Sequence, residues 1–309
     1  MQFEVIESEA VRYHEDEDGM TCYTNTRGSV NFQGMTVIAD HYNQKYFSNS
    51  ERKIVLTKSV TDAQEKIIEL LRSDNVIVGF TIPSNDSLDS HPIPIIFEKH
   101  TNGLKSLYIA DSAGVSTFDP ELKDFCLEHD IKLFVNAYAR QADNGSCRSE
   151  ALAYLKNALQ QDSIVESVKR MNTEQALTYF NQGFEPQAYT KEQIEKYQLN
   201  VFLESPDMLK TVQSRSAIKN NGIDVSEPLQ STKLKISFQD KLDPYTREVI
   251  YVKGDFSEPN HPEKKAFWER DYLRNKTRQH AELMKNIVET TDEEELENIE
   301  TRGCSLTLR

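Results

Sequence analysis

The sequence predicts an α+β fold, with a central mixed sheet flanked by helices and a mainly helical C-terminal extension. Three observations carry this expectation. Val76–Ile82 is a near-continuous apolar run, as in a strand covered on both faces. Ile93, Ile95 and Phe97 alternate with their neighbours, the period of a strand with one buried face. Thr61–Arg72 places Ile67, Ile68, Leu70 and Leu71 on the apolar side of an amphipathic helix. With 309 residues the chain is long enough to bury a sizeable core between such layers.

Taken in order, the elements are these. Within Met1–Arg52, the stretch Thr24–Ala39 carries alternating Val30, Phe32 and Met35 with Gly28 and Gly34 as punctuators, and short strands or loops are expected. The run His14–Asp18 reads as a solvated turn, because consecutive side chains cannot all face one ion. Ile54–Leu56 is a short strand, and Thr61 is placed to cap the helix that follows. The polar loop Pro83–Ser90 leads to His91 and the alternating strand. Thr101–Gly103 is a turn of the Asn-Gly type, and Leu104–Ala110 is the returning strand, ending at Asp111-Ser112. Pro120–Asp130 reads as a helix with Leu122, Phe125 and Cys126 inward, and Ile131–Tyr138 as a strand.

A polar loop from Gln141 then enters a helix marked by Ala151, Leu152 and Leu155, with Asn144 or Ser146 as cap. Ser163–Asn221 suits two or three helices, broken at Gly183–Pro186 and near Pro206. Lys233–Phe238 and Arg247–Lys253 alternate around Asp243-Pro244 and predict a hairpin. Glu263–Glu289 predicts a long helix whose stripe of Phe267, Trp268, Tyr272 and Leu273 either packs inward or meets a partner. The divisions are an N-terminal extension (1–53), a core (54–161), a mainly helical region with a hairpin (162–290) and an acidic tail (291–309).

Composition narrows the function. Hydrophobic residues make up 38% and charged residues 28%, as in a soluble globular protein. The net charge of −14 argues against nucleic acid and against anionic membrane surfaces as partners. Cys22, Cys126, Cys147 and Cys304 are scattered without a CxxC pair, so neither a disulfide framework nor a zinc site is expected. No signal peptide is expected from the acidic N-terminus, and no apolar run has the length of a membrane span.

The chemistry centres on Cys147. At a helix start, orphan backbone N–H groups and the positive end of the macrodipole favour a thiolate. Gln141 is near enough to donate to a developing oxyanion. A cysteine before an apolar helix is also a common packing residue, and from this stretch alone both readings stand. The hairpin bears on the choice. It brings the start of its first strand to the end of its second, so His91 and Asp111 are predicted neighbours. Asp111 then orients the imidazole that deprotonates Cys147. His100 at the hairpin tip and His129 at a helix end are the competing bases, and both are expected at the surface.

The order His91, Asp111-Ser112, Gln141, Cys147, with the motif Gln141-x-Asp143-x-x-Ser146-Cys147, resembles the CE clan of cysteine enzymes. That clan holds the Ulp1-like proteases of ubiquitin and SUMO-type modifiers and the YopJ-like acetyltransferases. The resemblance covers roughly 54–161 and implies a papain-like core. By it, His91 is the general base, Asp111 its orienter, Gln141 the oxyanion donor and Cys147 the nucleophile. The chain departs from the clan at Arg148, where the clan usually has Gly, and at Pro92, where the protease branch has Trp.

The implied activity is an isopeptidase that cleaves ubiquitin or a ubiquitin-like protein from a host target and uses no cofactor. The alternative is acetyl transfer from acetyl-CoA to Ser, Thr or Lys, with inositol hexakisphosphate bound in a basic pocket. Lys169, Arg170, Lys210, Arg215 and Lys219 are candidates for that pocket, or ordinary solvated charges. The chain beyond Cys147 favours the acetyltransferase branch, whereas Asp111-Ser112 is the pair of the protease branch. A third expectation is a silent CE-like binding module. The acidic block Glu293–Glu300 resembles the glutamate-rich signals of type IV secreted effectors, which implies a protein delivered into a host cytoplasm; a solvated tail is the other reading.

Overall fold

Seven strands form one mixed sheet, and helices cover both of its faces. The computed structural model of the chain describes residues 5–6, 10–15, 21–26, 29–85, 88, 90–112, 120–140, 147–171, 174–175, 191–212, 215–229, 235–242, 246–253, 263–270, 279–280, 282–283 and 286–287. Four short strands come first: β1 (Val5–Ile6), β2 (Ala10–Glu15), β3 (Thr21–Thr26) and β4 (Ser29–Val30). Helix α1 (Phe32–Tyr46) precedes β5 (Lys53–Leu56), α2 (Val60–Leu70) and β6 (Val76–Pro83). The hairpin is β7 (Pro92–Lys99) with β8 (Lys105–Ile109), followed by α3 (Pro120–Glu128), β9 (Lys132–Asn136) and α4 (Cys147–Leu159). Then come α5 (Ile164–Ser167), β10 (Lys169–Arg170), α6 (Lys191–Lys196), β11 (Asn200–Leu203), a 3-10 turn (Met208–Thr211), α7 (Arg215–Asn220), α8 (Phe238–Leu242), β12 (Thr246–Lys253) and β13 (Glu263–Arg270).

The sheet order is β10-β11-β9-β8-β7-β6-β5. The β5/β6, β8/β9 and β9/β11 pairs are parallel, and the β6/β7, β7/β8 and β10/β11 pairs antiparallel. One face packs Ile93, Ile95 and Phe97 against α2 and α3 through Ile67, Leu70, Leu122 and Phe125. The other packs Ile96, Tyr108 and Phe134 against α1 and α4 through Ile38, Leu152 and Leu155. A satellite core of Leu209, Val212, Ile218, Phe238 and Leu242 joins the 3-10 turn to α7 and α8.

The expected core order of helix, strands, helix, strand, loop and helix is the one observed, and several local expectations are corrected. Of the stretch expected as strands or loops, Thr24–Thr26 and Ser29–Val30 are strand, but from Phe32 onward it is α1, whose Met35, Ile38, Ala39 and Tyr42 are buried at helical spacing. Asn31 caps it by accepting from Gly34 N at 2.9 Å. Ser59, not Thr61, caps α2, accepting from Asp62 N at 3.1 Å. Ile68, expected on the apolar face, is 41% exposed. Strand β7 is buried on both faces rather than one.

Within 163–221, Lys169–Arg170 and Asn200–Leu203 are strands of the main sheet rather than helix. Phe238 begins a helix, so the second hairpin is not formed from Lys233–Phe238. Its pair is β12 with β13, which places Val249 opposite Phe267 and Glu248 opposite Trp268. Glu263–Arg270 is therefore strand where a long helix was expected; Tyr272, Leu273 and the acidic tail lie outside the described residues.

Helix α4 is buried almost all round; only Cys147 and Lys156 are not buried. It lies directly on β6 at Gly79, where an added Cβ would stand 2.9 Å from Leu155 Cδ2 and 3.3 Å from Leu159 Cδ1. At its C-terminal end, Arg52 donates to the carbonyls of Leu159, Gln161 and Asp162. Gly79→Val overfills this contact, and the expected cost is about 1–3 kcal/mol. A lowered urea midpoint at unchanged slope is the measurement that checks it.

Candidate active site

Three segments converge at one end of the sheet. His91 precedes β7, and its carbonyl accepts from Ser84 N at 2.9 Å, which fixes its backbone to the end of β6. Asp111 follows β8, buried at 2% exposure. The β7/β8 register pairs Ile95 with Ile109, so His91 and Asp111 are diagonal neighbours on one face of the ladder. The turn that sets this register has Gly103 at φ +84, where glycine pays no Cβ penalty, and Gly103 N donates to His100 O at 2.9 Å. His91 Nε2 lies 2.7 Å from Asp111 Oδ1. The predicted neighbours are thus in hydrogen-bond contact.

Cys147 is the first residue of α4 and is partly exposed. Cys147 stands near enough for its side chain and charge to act on the His91 ring, as those of Asp111 do. Burial lowers the affinity of this ring for a proton. The hydrogen bonds and charges of Asp111 and Cys147 outweigh burial and raise the His91 pKa from 6.5 to about 10. A protonated imidazole beside a cysteine sulfur is the partner that stabilises the thiolate form. The arrangement can therefore hold a nucleophilic sulfur next to a proton donor.

Gln141, and the caps expected at Asn144 and Ser146, lie outside the described residues. Of the competing bases, His100 Nε2 is 3.2 Å from the Glu98 carboxylate and His129 packs on the Phe125 ring at 4.6 Å. Cys126 is buried, as expected of a core residue, and burial pushes its thiol up to about 12. Arg148 is only 6% exposed, so its side chain is packed within the protein. Among the described residues no group of His, Cys, Asp and Glu is arranged to hold a metal, and no helix is long and apolar enough to cross a membrane.

Sequence reasoning missed Asn136. It is 1% exposed and its Nδ2 donates to the Asp111 carbonyl at 2.9 Å and the Tyr138 carbonyl at 3.0 Å. The available signal was an amide in the otherwise apolar strand LFVNAY.

The basic candidates are dispersed. Lys169 and Arg170 are exposed in the edge strand β10, with the Arg170 guanidinium 4.7 Å from the centroid of the Phe134 ring. Lys219 is exposed on α7, and the Arg215 side chain lies outside those described. Lys210 is 7% exposed and pairs with Asp207 at 3.0 Å. Lys241, which the sequence did not single out, has its pKa lowered by burial and then by the charge of Lys210.

The fold is the expected α+β core, a mixed sheet flanked by helices. It is similar to the solved structure of AvrA delL154 with IP6 and CoA, with a TM-score of 0.51 and 15% identity, covering 82% of this chain and 89% of that one. HopZ1a in complex with IP6 and CoA gives a TM-score of 0.47 at 7% identity, covering 84% of this chain and 86% of that one. No protein-family model and no curated protein matches the chain.

Asp111→Asn removes the carboxylate that holds the His91 proton. The His91 titration, followed by NMR of the imidazole, is expected to fall from about 10 toward 6.5. Because the folded value lies above the unfolded one, the stabilisation is complete below 6.5 and is lost as pH rises through about 10. The urea-stability deficit of Asp111→Asn should accordingly be large at pH 6.5 and shrink toward pH 10.

Proposed function

We propose that the chain is a YopJ-like acyltransferase that carries an acetyl group on Cys147 from acetyl-CoA to a Ser, Thr or Lys of a target protein. The observation that carries this is the hydrogen-bonded pair Asp111–His91 with Cys147 beside the imidazole at the start of α4. Its setting supports the choice of donor, since the fold is shared with AvrA in complex with CoA and IP6. The balance thereby moves away from the modifier-directed isopeptidase that the sequence put first. No observation specific to ubiquitin favours that reading.

In the proposed reaction, the Cys147 thiolate attacks the thioester carbonyl of acetyl-CoA. Gln141 and the Cys147 backbone N–H hold the oxyanion. The bond from the carbonyl carbon to the CoA sulfur breaks, and the His91 imidazolium gives its proton to that sulfur. The neutral His91 then takes a proton from the acceptor hydroxyl or amine as it attacks the acetylated cysteine, which restores the thiolate and the imidazolium. Asp111 keeps the ring oriented through both halves.

We propose that an inositol polyphosphate is taken at Lys210 and Lys241, the two basic side chains that the fold brings together. Lys210, which is buried, and Lys241, which is half-buried, stand close enough for the charge of Lys210 to lower the pKa of Lys241. A polyanion relieves that crowding, and when bound it supplies charge neutralisation that ties the 3-10 turn to α8. The setting we propose is a bacterial effector acting on host proteins, with Glu293–Glu300 as its delivery signal.

The test is transfer of labelled acetyl-CoA to protein in the presence of inositol hexakisphosphate. Wild type is expected to incorporate label, Cys147→Ala to incorporate none, and His91→Ala to fall by about 10²–10⁴-fold. Lys210→Gln and Lys241→Gln should weaken the response to inositol hexakisphosphate. Absence of transfer, with a Cys147-dependent adduct to an electrophilic ubiquitin probe, would return the isopeptidase reading to first place.

A further inference from the structure

Arg140 is a fully buried charge, at 0% exposure, as is its partner Glu150. Its guanidinium fork is almost fully used. Nε donates to Glu150 Oε1 at 2.8 Å and Nη2 to Glu150 Oε2 at 3.3 Å. Nη1 donates to Glu204 Oε1 at 2.6 Å, and Nη2 also to the Ala110 carbonyl at 2.7 Å. The plane lies 4.1 Å from the centroid of the Tyr154 ring, and Arg140 N donates to the Ser112 carbonyl at 2.8 Å.

The partners are arranged around the reacting groups. Ala110 and Ser112 are the two residues flanking Asp111. Glu150 is three residues past Cys147, so it stands one turn along the same side of α4. Glu204 follows β11, and its own N–H donates to Asn221 Oδ1 at 2.7 Å. One rigid planar group thus ties the strand end that carries Asp111 to the helix that carries Cys147. A flexible ammonium has no equivalent of the bidentate fork.

We infer that Arg140 is the positioning residue of the site: bound to Glu150 and to the Ala110 and Ser112 carbonyls, it sets the separation between the Asp111–His91 pair and Cys147. The inference rests on the proposed reading of Cys147 and His91 as the reacting pair. The two carboxylates differ in role. Glu150 is the bidentate partner on α4. Glu204 joins from β11; burial raises its carboxyl, the charge of Arg140 opposes this, and the balance stands at about 7. Glu204→Gln keeps an acceptor for Nη1 and resembles the protonated acid. Glu150→Gln loosens the tie to α4 while Glu204 still accepts from Nη1.

The experiment follows His91 by imidazole NMR and the rate of Cys147 alkylation by iodoacetamide at neutral pH, in the full chain. The variants are Glu150→Gln, Glu204→Gln and Arg140→Lys. Ile67→Ala, on the opposite face of the sheet, is the control for stability loss alone. For Glu150→Gln the His91 titration is expected to move down from about 10, and alkylation to slow about tenfold or more. Glu204→Gln and Ile67→Ala should stay close to wild type in both. If Arg140→Lys does not fold, Glu150→Gln against Glu204→Gln decides alone. A raised His91 titration in wild type that Glu150→Gln leaves unmoved overturns the positioning role and spares the acyltransferase reading. A wild-type His91 titrating near 6.5, with Cys147 no more reactive than free cysteine, defeats that reading and this inference together.

Discussion

The pairing register of β7 and β8 is the constraint on which the site depends. With Ile95 opposite Ile109, the residues just outside the ladder fall on the same face within reach of one another. A slip of one residue would turn Asp111 to the other face, because side chains alternate with period two. The three-residue turn at Thr101–Gly103 fixes the register at the far end, and the Ala110 N bond to the Pro94 carbonyl at 2.9 Å fixes it at the near end. A histidine and a carboxylate twenty positions apart in sequence become a 2.7 Å pair through backbone geometry alone.

The cysteine is brought to that pair by a different element. Helix α4 rests on Gly79 of the central strand β6, is closed at its far end by Arg52, and presents Cys147 at its near end. Both supports lie far from the sulfur, so the position of the thiol is an output of core packing. The electrostatics follow from the same convergence. Burial disfavours the imidazolium, yet the two groups facing the ring restore it and carry its pKa well above the usual histidine range. A site of this kind suits acyl transfer, where a thiolate must attack and a proton must be ready for the leaving group.

Much of this was legible in the sequence, and the failures have physical causes. The run Val76–Ile82, the hairpin turn and the helix after Ser59 announce themselves by period and turn chemistry, and with them the approach of His91 to Asp111. Helix α1 was hidden because Val30, Phe32 and Met35 imitate a strand over a window too short to separate the two periods. Strand β11 has four residues and exists because β9 offers it a parallel partner. Strand β13 reads EKKAFWER, a helix-forming composition overruled by its ladder with β12. Arg140 and Glu150 carry no local signal, since a buried charge is defined by partners such as Glu204, 64 residues away. Asn136 was visible only as an amide among apolar neighbours.

The central claim is that Cys147 carries the acyl group. The most direct measurement is intact-mass spectrometry with peptide mapping after brief mixing with acetyl-CoA and inositol hexakisphosphate, quenched in acid to preserve thioesters. The account predicts one acetyl group on Cys147, removed by hydroxylamine and absent when His91 is replaced by alanine. A protein that becomes acetylated on its lysines while Cys147 stays free, with unchanged rate in Cys147→Ala, would contradict it.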